Sequence, residues 1–259
     1  MIRQLIPAAA LCVATSLSAQ QTAIRFGSLV DGTGRVLRDA VVVTNADTIV
    51  SVGTGSSAVP RGARVIDLRR YTGIPGMIDA HTHITYYWDG APGSDPWRQG
   101  GQRRPQVTVF LAQENARRTL ETGVTTIRDL GASDYSDLAI RDLINRGAMV
   151  GPRVFAAGYG LRRAPAQTQP NAPPGPPRGR LTSIDDVAAA VKAQVEAGAD
   201  VIKVYGSTGS GADVTGRETL TYEEMKAIVD ASRAAGKRVA IHSYGPEGGR
   251  DAVRAGATS

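Results

Sequence analysis

The stretch Ile74-Pro75-Gly76-Met77-Ile78-Asp79-Ala80-His81-Thr82-His83-Ile84 decides how the rest of the chain is interpreted. It predicts a short buried strand that begins after a Pro-Gly turn and ends with two histidines one residue apart. Side chains at i and i+2 share a face of a strand, so His81 and His83 are predicted to point the same way. Two buried imidazoles side by side are unfavourable unless their ring nitrogens have partners, and a divalent metal ion is such a partner. A hydrogen-bonded histidine pair without a metal is the alternative for an isolated motif of this kind.

Two further predicted strands carry residues of the same chemistry. The chain has 3 histidines, and the third, His242, ends the predicted strand 238–242. The predicted strand 200–205 places Lys203 inside an apolar sequence, where an unpaired ammonium group is unfavourable. We therefore predict one metal site formed by these three histidines and Lys203.

A repeating order of helix, glycine and apolar strand follows the histidine pair and predicts the fold class. Helices are predicted near 107–121 and 135–145, after a cap at Ser183, after a capping box at Thr221, and near 248–255. Such a repeat indicates an α/β fold around a parallel sheet. A closed (β/α)8 barrel needs eight strands and about 250 residues of its own. We therefore expect residues 73–259 to be an incomplete barrel with the first five βα units, ending before strand six.

The first part of the chain has a different pattern. Residues 20–72 contain short alternating strands and turns, which predict the N-terminal part of a small β-sandwich domain. Residues 1–19 combine a positive start, an apolar run and small residues, the features of a secretory signal peptide cut near Ala19. We therefore expect a secreted or periplasmic protein. The run is too short to span a bilayer, and it lacks a good lipoprotein cleavage box, so no membrane anchor is expected.

Composition excludes several classes of function. The chain is 42% hydrophobic and 21% charged, as in ordinary globular proteins. Its net charge of +6 comes from scattered basic residues, and the short cluster 98–104 predicts a solvated loop, so no nucleic-acid binding is expected. The glycine-rich stretch 206–211 matches neither a P-loop nor a dinucleotide motif. The single cysteine, Cys12, lies in the predicted signal peptide, so thiolate ligands and disulfides are excluded from the mature chain.

Three stretches together resemble the amidohydrolase superfamily. PGMIDAHTH at 75–83 is similar to its first-strand signature, VIKVYGSTG at 201–209 to its carboxylated-lysine strand, and VAIHSYG at 239–245 to its fifth-strand histidine. Their order is the same as in that superfamily. The resemblance extends from about Ala23 to the last residue, and it is greatest to imidazolonepropionase-like and Xaa-Pro dipeptidase-like enzymes.

The resemblance implies a mechanism. Lys203 would react with carbon dioxide to form a carbamate that bridges two divalent metal ions, with zinc the expected metal. His81 and His83 would hold one ion with Lys203, and His242 would begin the second site. A metal-bridged hydroxide would then attack the carbon–nitrogen bond of a small amide, dipeptide or lactam. Tyr244 matches a position near the substrate carbonyl, where it would donate a hydrogen bond; a tyrosine that only packs at the strand end is the alternative.

Two parts of the resembled site have no counterpart in the chain, namely a sixth-strand histidine and an eighth-strand aspartate. The chain by itself is therefore expected to be inactive. Two other functions remain open: a noncatalytic metal- or ligand-binding remnant, and a cyclic amidase, which shares the lysine. A mononuclear deaminase is disfavoured because its mechanism does not require a lysine at the position of Lys203.

Overall fold

A computed structural model describes residues 20–94, 103–164, 179–209 and 215–259. The predicted signal peptide lies outside the described residues, as do most of the basic cluster, most of the proline-rich stretch 162–180 and the end of the glycine-rich stretch. The chain divides into two compact units, Met1–Pro75 and Gly76–Ser259. In the described part of the chain, no helix is long and apolar enough to cross a membrane.

The first unit contains a four-stranded sheet. Its strands are β1 (Thr22–Val30), β2 (Val36–Asn45), β3 (Thr48–Thr54) and β4 (Arg64–Gly73), in the order β3-β2-β1-β4. β1 pairs antiparallel with β2 and parallel with β4, and β2 pairs antiparallel with β3. Alternate residues of β2 belong to two different apolar clusters, because successive side chains point to opposite faces. The described residues of this unit form one sheet, so the β-sandwich stays a prediction.

The second unit alternates helices with parallel strands. The larger strands are β5 (Met77–Thr82), β6 (Val124–Asp129), β7 (Arg153–Ala156), β10 (Val201–Tyr205) and β11 (Arg238–His242), and a two-residue pair is formed by β8 (Arg162–Arg163) and β9 (Arg180–Leu181). The helices are α1 (Pro105–Glu121), α2 (Ser136–Asn145), α3 (Val187–Glu196), α4 (Tyr222–Ala234) and α5 (Pro246–Ala255). The α/β fold predicted from the sequence is therefore confirmed.

Backbone hydrogen bonds define which strands of the second unit are neighbours. β5, β6 and β7 form a parallel sheet, and β10 and β11 form a parallel pair. Between these groups, Asp200 N–H donates to the Ala156 carbonyl at 2.8 Å, and Leu161, just past β7, exchanges two bonds of 2.8 Å with β10. The order is therefore β5-β6-β7-β10-β11. Beyond β11, Thr258 N–H donates to the Val239 carbonyl at 2.8 Å, and Ile241 N–H donates to the Ser259 carbonyl at 2.9 Å.

The helices cover one face of these strands. Ile202 and Val204 of β10 pack with Met225 and Ile228 of α4 in the larger core cluster, and β6 and β7 pack against α1 and α2 in a second cluster. The predicted capping box is present at Thr221, where α4 begins, and the predicted cap at Ser183 forms a second capping box, at a 3-10 turn before α3. Because side chains alternate along a strand, Lys203 and Tyr205 lie on the face away from the helices.

The prediction that the first histidine strand is buried is wrong. Met77 is 47% exposed and Ile78 is 71% exposed, and His81 is exposed as well. β5 is the outer strand of its sheet, so among the described residues only β6 pairs with it. The strand also ends at Thr82, so His83 lies in the loop that follows it.

Candidate metal centre

His81 and His83 lie next to each other at the end of β5. Their ring centroids are 5.6 Å apart, in an edge-on arrangement. The His83 ring stacks on Tyr86 with centroids 4.5 Å apart, and its Nδ1 lies 3.0 Å from the carbonyl oxygen of Gly131. A carbonyl oxygen only accepts hydrogen bonds, so Nδ1 carries the proton. The Nε2 atom of His83 is then the ring nitrogen with a lone pair available to a metal ion.

Lys203 is almost completely buried. Its exposure is 1%, and no acidic side chain among the described residues forms an ion pair with it. Its Nζ atom lies 5.2 Å from the centre of the Tyr205 ring. Burial, together with the charge of Arg128, lowers the pKa of Lys203 to about 8. The site thus contains a buried amine without a described anionic partner, and a sizeable fraction of this amine is neutral at neutral pH.

The pairing of β10 with β11 places His242 beside this lysine. Tyr205 is opposite His242 and Lys203 is opposite Ala240, so Lys203, Tyr205 and His242 share one face. The ring centroids of Tyr205 and His242 are 5.7 Å apart, and those of His242 and Tyr244 are 5.0 Å apart. The backbone N–H of Tyr244 donates to Ser207 Oγ at 2.7 Å, which holds this residue against the segment after β10.

Electrostatics show that the four predicted ligands lie close together. Burial lowers the pKa of all three imidazoles, and the charge of Lys203 lowers each of them further. For His81 the pKa is lowered as well, but water at the exposed end of β5 offsets part of the desolvation. The imidazoles are therefore neutral at neutral pH, which is the form that binds a metal ion. The structure places His81, His83 and His242 within reach of the charge of Lys203, and their role as metal ligands stays a prediction.

The predicted ligands do not form a complete metal-binding set within the part of the chain that the structure describes. Among the described residues, no group of three histidine, cysteine, aspartate or glutamate side chains is arranged to hold a metal ion. The charge of the buried Lys203 amine reaches the His81–His83 pair at the end of β5 and His242 at the end of β11. An anion formed at this amine fits the site, because it would supply oxygen ligands and would offset the positive charge.

Several residues of the site were not identified from the sequence. Tyr86 and Tyr205 share a hydrogen bond, and burial raises the pKa of both hydroxyls. The Arg128 Nε atom donates to the Ala80 carbonyl at 2.6 Å, and its charge reaches His81 and Lys203. Alternation along the strands could have indicated Tyr205, which is two residues after Lys203. The contacts of Arg128 and Tyr86 carry no comparable local signal.

Comparison with known proteins identifies the family. The sequence profile of the amidohydrolase family matches residues 72–259. The chain therefore belongs to the amidohydrolase family, and the resemblance inferred from the three motifs is confirmed.

Particular relatives are hydrolases. Ochratoxinase from Aspergillus niger is 26% identical over 276 residues, which cover 96% of this chain and 55% of that protein. The crystal structure of a Xaa-Pro dipeptidase with bound methionine in the active site superposes with a TM-score of 0.78 at 30% identity, over 92% of this chain and 60% of that one. A prolidase complexed with N-methylphosphonate-L-proline gives a TM-score of 0.77 at 25% identity, with the same coverage of 92% and 60%. The chain thus spans a little over half the length of these relatives.

Proposed function

We propose that the whole protein is a metal-dependent hydrolase that cleaves carbon–nitrogen bonds in small amides or dipeptides. His81, His83, Lys203 and His242 are the proposed metal ligands. The observation that carries the proposal is the buried Lys203 amine, which lies among three neutral imidazoles and has no described acidic partner. The relatives support it, because they include a Xaa-Pro dipeptidase and an ochratoxinase.

The chemistry at Lys203 follows from its lowered pKa. A neutral amine can add to carbon dioxide, forming a nitrogen–carbon bond and releasing a proton to solvent. The product is a carbamate, an anion with two oxygen atoms. It would replace a buried cation by a buried anion at the point where the charge of Arg128 also acts.

Residues beside the proposed ligands would polarise the substrate carbonyl and exclude water from the site. When bound, two divalent ions, with zinc the expected metal, would lower the pKa of water and polarise the substrate carbonyl. Tyr244 would donate a hydrogen bond to that carbonyl oxygen from its position 5.0 Å from the His242 ring. Tyr86, stacked on His83 and hydrogen-bonded to Tyr205, would help to exclude water from the site.

Two wider expectations belong to the same proposal. The first is that the strand order β5-β6-β7-β10-β11 is part of a (β/α)8 barrel, in which the face bearing Lys203 would line the interior. The second is export by a signal peptide at residues 1–19, which N-terminal sequencing of the exported protein would test.

Metal analysis of the whole protein tests the ligand set. We expect about two zinc ions per chain, and a sharp fall in His81→Ala and in His83→Ala. Tyr244→Phe is the matched control, because it changes a ring next to His242 without removing a ligand, and it should retain the metal. Unchanged metal content in both histidine variants would disprove the assignment. Assays with Xaa-Pro dipeptides and with lactams then distinguish a dipeptidase from a cyclic amidase, and turnover of neither would favour a noncatalytic binding protein.

A further inference from the structure

Asp129, the last residue of β6, holds the backbone on two sides of His83. Its carboxylate is completely buried, with 0% exposure. One oxygen, Oδ2, accepts a hydrogen bond from the backbone N–H of Ile84 at 2.7 Å, and the other, Oδ1, accepts one from Gly131 N–H at 3.1 Å. Ile84 directly follows His83, and the Gly131 carbonyl accepts the hydrogen bond from His83 Nδ1 at 3.0 Å.

Neighbouring contacts make this arrangement well defined. Leu130 N–H donates to the Thr82 carbonyl at 3.0 Å, and Asn115 Nδ2 donates to the Ile84 carbonyl at 2.8 Å. The residues before and after His83 are therefore both held. Gly131 has a φ of 122°, which side-chain-bearing residues rarely adopt, so this position favours glycine.

We propose that Asp129 is a positioning residue for His83, acting through the backbone of Gly131. By holding Gly131, the carboxylate keeps a carbonyl acceptor in front of Nδ1, so that the proton stays on Nδ1 and the lone pair stays on Nε2. Metal-ligating histidines need this type of support, because the partner of the second ring nitrogen sets both the tautomer and the ring orientation. The inference rests on the proposed function, because it assumes that His83 is a metal ligand.

Two opposing effects act on the charge of Asp129. A buried carboxylate is unfavourable unless it accepts hydrogen bonds, and burial together with the charge of Asp137 raises the pKa of Asp129. Its two backbone donors act in the opposite direction and favour the charged form. An asparagine in its place would accept through only one atom, so Ile84 N–H or Gly131 N–H would face an amide donor instead.

Asp137 offers a matched control. It is also 0% exposed, and its carboxylate accepts hydrogen bonds from Ala157 N–H at 3.1 Å and Gly158 N–H at 2.8 Å. It therefore holds the segment after β7, and none of these bonds involves the backbone around His83. Asp137→Asn removes a buried carboxylate of the same kind, together with the charge that raises the pKa of Asp129, and it leaves in place the hydrogen bonds that Asp129 accepts from Ile84 N–H and Gly131 N–H.

The test is the tautomer of His83 in metal-free protein labelled with 15N, measured from two-bond and three-bond 1H–15N correlations of the imidazole. The signals of His83 are assigned by their loss in His83→Gln. We expect the Nδ1–H tautomer in the wild type and in Asp137→Asn, and a mixture of tautomers in Asp129→Asn. In competition with a chelator, zinc binding should weaken by about 10- to 100-fold in Asp129→Asn and should be retained in Asp137→Asn.

Three results would overturn the inference: an Nε2–H tautomer in the wild type, a folded Asp129→Asn with unchanged tautomer and zinc affinity, or equal effects in the two aspartate variants. If Asp129→Asn does not fold, Gly131→Ala perturbs the same carbonyl while keeping the carboxylate, and an unchanged tautomer there would equally overturn it. A wild type that binds no zinc would refute the proposed function, whereas the tautomers of the metal-free proteins would still decide the role of Asp129.

Discussion

Replacing Lys203 by methionine tests how burial has changed the chemistry of this amine. Lys203 is 1% exposed, and its pKa is lowered from 10.5 to about 8, first by burial and then by the charge of Arg128. Methionine occupies a similar volume without a charge. The folded wild type therefore releases a proton near pH 8, whereas the unfolded chain releases it near the ordinary lysine value.

The expected size of the effect follows from this difference. One pKa unit corresponds to about 1.4 kcal/mol, so the protonated lysine lowers the free energy of unfolding by roughly 3 kcal/mol at pH 7. Above the folded-state pKa the unfolded state binds more protons, and the free energy of unfolding rises with pH by about 1.4 kcal/mol per unit. The same shift increases the neutral fraction of the amine at pH 7 from about 0.03% to about 10%, and only this form reacts with carbon dioxide.

The assay is urea unfolding of metal-free wild type and Lys203→Met between pH 7 and pH 9.5, in buffer depleted of carbon dioxide. Subtracting the variant cancels the tyrosine titrations that both proteins share. We expect the wild type to gain about 2 kcal/mol relative to Lys203→Met over this range. Lys192→Met is the matched control, since the Lys192 side chain is 73% exposed and its replacement should give no such slope. A pH-independent difference for Lys203→Met would refute the reasoning.

Three further predictions concern the site and its support. Lys203→Ala should lose activity in the whole protein, and a short-chain carboxylic acid should restore part of it by replacing the carbamate; wild-type activity with both metals retained would contradict the bridging role. Tyr244→Phe should lower kcat by about 100-fold at unchanged metal content if its hydroxyl donates to the substrate carbonyl, and an unchanged kcat would leave it a packing residue. Thr221→Ala removes the side-chain acceptor for Glu224 N–H and should cost about 1 kcal/mol in urea unfolding, whereas Thr221→Ser should retain most of that stability.

Local patterns in the sequence were sufficient to predict the main helices and strands and the protein family. Helix ends marked by glycine, and the capping boxes at Ser183 and Thr221, depend on residues within one or two turns, so they are visible without a structure. The motifs around His81, Lys203 and His242 each consist of one strand and the few residues next to it, and the family match bears out the resemblance they carry. The claim that the chain ends inside a barrel stays a prediction.

Burial was less predictable than secondary structure. The run that contains Met77 and Ile78 is apolar, which favoured a buried strand, yet both residues are exposed. Exposure depends on which other segments cover a strand, and β5 has only β6 beside it among the described residues. By contrast, the apolar Ile202 is fully buried, because strands lie on both sides of β10 and helices cover its face.

Only the tertiary structure determined how the site residues are held. The hydrogen bond from His83 to Gly131 joins residues 48 positions apart, and the bond from Ile84 N–H to the Asp129 carboxylate joins residues 45 positions apart. The charge of Arg128 near Lys203 also depends on how β6 and β10 are placed. A local pattern specifies which residues form a strand and which face they share. The partners across strands depend on register and on the path of the loops, which are set by the packing of the whole unit.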